Sequence, residues 1–270
     1  MKKLKYVALI LVLIAGVTLF GAWSPIQAEE TEIRYADAPM VSSIASETIY
    51  YTSKEMMHVQ TDGGAPTYTV TANLTNACGA VAGSEIVAFY DKYYSDLIPD
   101  WVSYYASSGK YRTQDGTYIP AVMKELYTLM QTNVNGSGTS EAEFKSGLKT
   151  YFSNRNYSLS YQNVKSGSSL DFNACMAAVD ANKVIVLFTT PGEVYIIAES
   201  ANKDNLNAYT ITGNHIMIAF GYLEIKYYNE LGLFRTDRYV KVATGHDYTS
   251  IAYYKINSSN LEAAYVVNVG

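Results

Sequence analysis

Two long strand patterns separated by a four-residue turn constrain this chain's fold more than any other feature. His215 to Tyr228 reads as one strand, Asn229-Glu230-Leu231-Gly232 as a turn, and Leu233 to Thr244 as a second strand. In a regular hairpin of this kind, residues whose numbers sum to about 461 lie opposite each other. His215 then faces roughly residues 245–247, and a bulge would shift this by a residue or two. The hairpin therefore brings Asp247 back to His215. Asp237 would instead pair near Glu224, about 30 Å along the strand at the usual rise.

The rest of the chain has an α+β order. A helix is predicted from near Cys78 to about Leu97, with Ala82, Ile86, Phe89, Tyr90 and Tyr93 on one face. A second starts near Pro120 and carries Val122, Leu126 and Met130. A third follows the capping signature Ser140-Glu141-Ala142-Glu143 and buries Phe144, Leu148 and Phe152. A strand from Tyr157 to Val164, a helix from about Leu170 to Asp180 and a short buried strand from Val184 to Phe188 complete the pattern. Asn135-Gly136-Ser137-Gly138 reads as a flexible turn.

The N-terminus begins with Lys2, Lys3 and Lys5, continues through an apolar run from Tyr6 to Trp23, and ends in Ala28 before an acidic stretch. This is the pattern of a secretory signal over residues 1–28, cleaved after Ala28. Residues 29–72 read as an extended leader or a short pro-segment, and residues 73–270 as the functional domain. Losing three lysines takes the net charge from −5 to about −8. Such an acidic chain lacks the cationic surface that nucleic acid requires. The reading implies a secreted or cell-surface protein with no stable membrane span once the signal is gone; the alternative is an uncleaved membrane anchor, for which the apolar run is long enough. Three dispersed histidines and two distant cysteines have no metal-ligand spacing. Phosphate-loop and dinucleotide fingerprints are absent from the sequence, so no cofactor is expected.

The chemistry centres on Leu74-Thr75-Asn76-Ala77-Cys78-Gly79-Ala80, where a polar stretch turns into a helix of small residues. A thiol at a helix N-terminus meets unpaired backbone N–H groups and the positive end of the dipole, both of which favour thiolate. His215, opening a regular strand, is the expected base, with His246 as competitor; Asp247 would fix its tautomer. The alternative role for Cys78 is a structural disulfide with Cys175 in a non-enzymatic binding module. The Tyr-rich segment from Trp101 to Tyr105, together with Tyr195, is a candidate lining for a peptide cleft.

Cys78-Gly79 before a small-residue helix, and Gly213-Asn214-His215 opening a strand that ends Phe220-Gly221-Tyr222, resemble the papain-like cysteine peptidases. The resemblance is nearest to the C39-like secreted peptidases of bacteria. Ala80 stands where that group usually has Pro, and Asn214 is inserted between the usual Gly and His. The resemblance implies a papain-like fold, with an N-terminal helical part whose Cys-bearing helix packs on a C-terminal antiparallel sheet. It also implies thiol endopeptidase activity on a peptide or protein substrate, without metal. An oxyanion hole in that architecture uses the nucleophile's own N–H and an upstream side-chain amide, usually Gln. This chain has no Gln between Gln60 and Cys78, which leaves Asn73 and then Asn76 as replacements.

Overall fold

The two long strand patterns form the predicted hairpin. A computed structural model describes residues 27–35, 74–94, 96–101, 104–105, 110–111, 117–196, 207–228, 234–246 and 251–270. In chain order the elements begin with β1 (Gln27–Tyr35), α1 (Cys78–Asp91), β2 (Tyr104–Tyr105), β3 (Lys110–Tyr111), α2 (Tyr118–Leu129) and α3 (Glu141–Ser153). They continue with β4 (Leu159–Asn163), β5 (Lys165–Ser166), β6 (Ser169–Leu170), α4 (Phe172–Asp180), β7 (Ile185–Thr189) and β8 (Gly192–Ile196). The last are β9 (Asn207–Ile211), β10 (His215–Tyr228), β11 (Phe234–Ala243), β12 (Ile251–Lys255) and β13 (Leu261–Val269). Among the described residues no helix is long and apolar enough to cross a membrane.

The main sheet is antiparallel, in the order β4-β13-β7-β10-β11-β12-β8-β9. Strand β10 is long enough to hold two neighbours on one edge. β7 pairs with residues 215–219 and β1 with residues 221–228. β1 comes from the stretch read as signal end and leader; the remainder of residues 1–72 lies outside the described residues. In the β10–β11 hairpin Tyr222 faces Val240, then a bulge between Ala219 and Gly221 shifts the register so that Ile218 faces Ala243. Pair numbers thus sum to 462 and then 461, and the end of β11 returns to His215 as the sequence predicts.

Side-chain alternation along the strands gives the sheet two apolar faces. Val186, Phe188, Ile216, Ile218 and Phe220 pack against α1, α2 and α3. Ile185, Leu187, Met217, Ala219 and Val242 point the other way, where Cys175 and Ala178 of α4 cover them. Helices α2, α3 and α4 follow their predicted periodicity, and α3 opens with the predicted Ser140–Glu143 capping box.

Helix α1 differs from expectation in two ways. Gly79 to Asp91 are all buried, so the helix has no solvent face, as fits its small and apolar residues. Even Glu85 is 1 % exposed, and neither carboxyl oxygen meets a hydrogen-bond partner among the described residues. Burial raises its pKa well above the usual carboxylate range. The helix also ends at Asp91 rather than near Leu97. The buried Asp91 carboxylate accepts the Ile98 N–H at 2.9 Å and turns the chain back; Tyr93, beyond the end, is exposed.

Candidate functional site

Cys78 and His215 open onto one cleft. The cleft, about 790 Å³, lies where the start of α1, the turn before α3 and the ends of β7, β10 and β13 converge. Phe188 and Ile216 give it an apolar floor, and residues 135–141 form one wall.

Cys78 is half-buried and is the first residue of α1. Ala77 precedes it as N-cap and offers no side chain to the helix N–H groups. Gly79 is required by a neighbour: a Cβ there would stand 2.9 Å from Thr139 Oγ1. The glycine lets the wall approach the helix start closely.

That wall is held by a clamp that crosses nearly sixty residues of sequence. Asn133 Nδ2 donates to the Thr75 carbonyl at 2.9 Å and to Tyr127 Oη at 2.6 Å. Its Oδ1 accepts from Gly138 N at 2.7 Å and from Asn76 Nδ2 at 3.0 Å. Asn76 Nδ2 also donates to Ser137 Oγ at 3.0 Å. Both amide hydrogens of Asn76 are therefore committed to the wall, although the residue lines the cleft. Asn73 lies outside the described residues. The turn that the sequence marks as flexible, Asn135-Gly136-Ser137-Gly138, is a structured part of this wall. The sequence signal for it was Asn133, a short amide of the kind that tolerates a left-handed backbone, and its φ is 63°.

His215 is the first residue of β10 and is 5 % exposed. Its Nε2 lies 2.6 Å from the Thr244 carbonyl oxygen, which can only accept. Nε2 therefore carries the proton in the neutral ring and Nδ1 the lone pair. The His215 pKa is lowered to about 4: burial is the main cause, the Thr244 carbonyl opposes it, and the neighbouring His246 adds a smaller lowering. The ring is neutral at physiological pH.

The hairpin end supplies this environment. Gly245, at φ +77°, turns the chain in a conformation open mainly to glycine, and it packs against Val81 of α1. The turn points the Thr244 carbonyl at one edge of His215 and lays the His246 ring on its face. The two rings stack at 4.8 Å between centroids, inclined by 26°. Asp247 lies outside the described residues. The main-chain oxygen of Thr244 occupies the orienting position on His215, and sequence reasoning missed it. Every residue carries a carbonyl, so no residue type signals one.

Neither cysteine is in a disulfide. Cys175 sits in α4 at 0 % exposure on the opposite face of the sheet, which separates it from Cys78. The Cys78–Cys175 bridge of the non-enzymatic alternative does not form. Two residues of the expected Tyr-rich lining lie elsewhere: Trp101 is in the core, and Tyr195 packs edge-on against Tyr239. The rest of the segment to Tyr105 lies outside the residues with described side chains. Among the described residues no group of three His, Cys, Asp or Glu is placed to hold a metal.

No protein-family model matches the chain, and no curated protein or solved structure matches it.

Proposed function

We propose that the chain is a secreted thiol hydrolase of papain-like type, an endopeptidase working by acyl transfer through Cys78. One observation carries this reading. A thiol at a helix start and an imidazole with a defined tautomer line the same cleft.

In this reading Nδ1 of neutral His215 takes the Cys78 proton as sulfur attacks the scissile carbonyl carbon. The carbonyl pair moves onto oxygen, and the Cys78 N–H at the helix terminus faces the resulting oxyanion. As the C–N bond breaks, His215 returns its proton to the leaving amine. Water then attacks the thioester with His215 again as base, releasing the acid and the thiol. The Thr244 carbonyl holds the ring in place and stabilises the imidazolium formed in each half-reaction.

The test uses the secreted chain with a mixture of unstructured peptides. Peptide cleavage should fall about a thousandfold or more in Cys78→Ala, with thermal stability nearly unchanged. Iodoacetamide should modify Cys78 faster than free cysteine at mildly acidic pH, and His215→Gln should slow that reaction. Full activity in Cys78→Ala would exclude the proposal, as would a Cys78 no more reactive than free cysteine.

A further inference from the structure

The cleft that holds Cys78 and His215 is walled by acid. Glu141, Glu143 and Glu262 line it, and no Lys or Arg does among the described residues. We infer that the cleft selects a substrate with a cationic side chain near the reacting bond, and that Glu262 is the residue that reads it. This rests on the hydrolase reading for its chemistry, but the recognition itself is separable from catalysis.

The three carboxylates are not equivalent. Glu143 closes the capping box of α3 and also accepts from Asn135 at 2.9 Å. The Asn135 and Ser140 hydrogen bonds lower its pKa, so it remains ionised. Glu141 accepts from Tyr265 Oη at 2.8 Å and is paired with Lys145 at 3.3 Å, which offsets its charge. Glu262 is exposed, and no hydrogen bond or ion pair engages its carboxylate among the described residues. Lys165 Nζ donates to the main-chain carbonyl of Glu262 at 2.7 Å, which leaves the Glu262 carboxylate itself to meet a ligand.

Its position fits that role. The β13–β7 register slips between Leu261 and Ala263, so Glu262 is the extra residue of a bulge, a device that re-aims a side chain at a strand end. Leu261 pairs with Thr189, and Thr189 pairs with His215. Glu262 is thus two strands from the base, about 10 Å at the usual strand spacing. An extended peptide covers that span in about three residues. Phe188 and Ile216 between them offer an apolar surface for the stem of a Lys or Arg, while the charged head meets Glu262. The net charge of −5 adds long-range attraction for cationic chains.

The experiment uses fluorescein-labelled neutral peptides in which one Lys is walked along a fixed sequence, with norleucine and Glu versions as controls. Binding is read by anisotropy on the Cys78→Ala protein, and cleavage is read separately on the wild type. At one position about three residues from the bond cut, Lys should bind about fivefold more tightly than norleucine, the size of one exposed ion pair. The preference should shrink between about 50 mM and about 500 mM salt. It should disappear in Glu262→Gln and turn toward the Glu peptide in Glu262→Lys. Equal binding of the Lys and norleucine peptides overturns the inference, and so does a Lys preference that survives both Glu262 variants. Cationic preference without any cleavage excludes the hydrolase reading alone; cleavage without preference excludes only this inference.

Discussion

The two cysteines of this chain lie on opposite faces of one sheet, and the contrast between them shows how position decides the chemistry of a thiol. Cys175 lies within α4, 0 % exposed among Ile185, Leu187 and Met217. Burial, helped by the charge of Asp171, pushes its pKa up to about 12, so it acts as a small apolar side chain. Cys78 begins a helix instead of sitting inside one, and it opens into a cleft shared with an imidazole. Both helices rest on the sheet. Only one delivers its N-terminus to the place where strand ends and a hairpin turn converge.

The contrast is sharpest in acid, because the Cys78 face carries the depressed histidine. His215 titrates near 4 when folded and near 6.5 when unfolded, so the unfolded chain binds more protons between those values. Its stabilising share is complete above pH 6.5, falls as pH drops, and is lost below about 4, a change of about 3 kcal/mol. Glu85 works in the opposite sense, since its raised pKa makes the folded state bind the extra proton. The wild-type curve minus that of His215→Gln in urea melts isolates the histidine. An identical acid slope in the two proteins would show that His215 is not buried neutral.

Cys175→Ser should leave peptide cleavage intact and lower stability by about 2 kcal/mol, because a hydroxyl would replace a thiol in an apolar site. Paired assays of activity and urea midpoint check it. Loss of activity without loss of stability would join the two faces that the sheet separates.

The smallest expected effect tests the cleft wall. Gly79→Ala should cost about 1 kcal/mol, since the new Cβ meets Thr139 and the gain in helix propensity offsets only part of the clash. It should reduce cleavage more than stability suggests, by moving the wall clamped through Asn133. Restored activity in Gly79→Ala with Thr139→Gly, which removes all three side-chain atoms that the new Cβ would meet, would leave the clash, rather than the helix, as the cause.

Strand and helix periodicity, the Ser140–Glu143 cap and the β10–β11 hairpin were legible because each depends on neighbours a few residues apart. The register count brought the end of β11 to His215, and the residue that arrives there is His246 stacked on the ring. The extent of α1 was not legible, because its end depends on the Asp91 carboxylate folding back to Ile98. Nor was the wall, which rests on Asn133 reaching Thr75 and Asn76 across the chain.

The sequence by itself determined the α+β order, the hairpin, and the presence of a thiol and an imidazole at element starts. These follow from periodicity and local backbone preference, which act over a few residues. Tertiary structure decided that the two cysteines stay apart, that the Thr244 carbonyl orients His215, and that Glu262 faces the cleft. Those outcomes depend on burial and on backbone groups common to every residue. Only the packed sheet puts such groups beside a particular side chain.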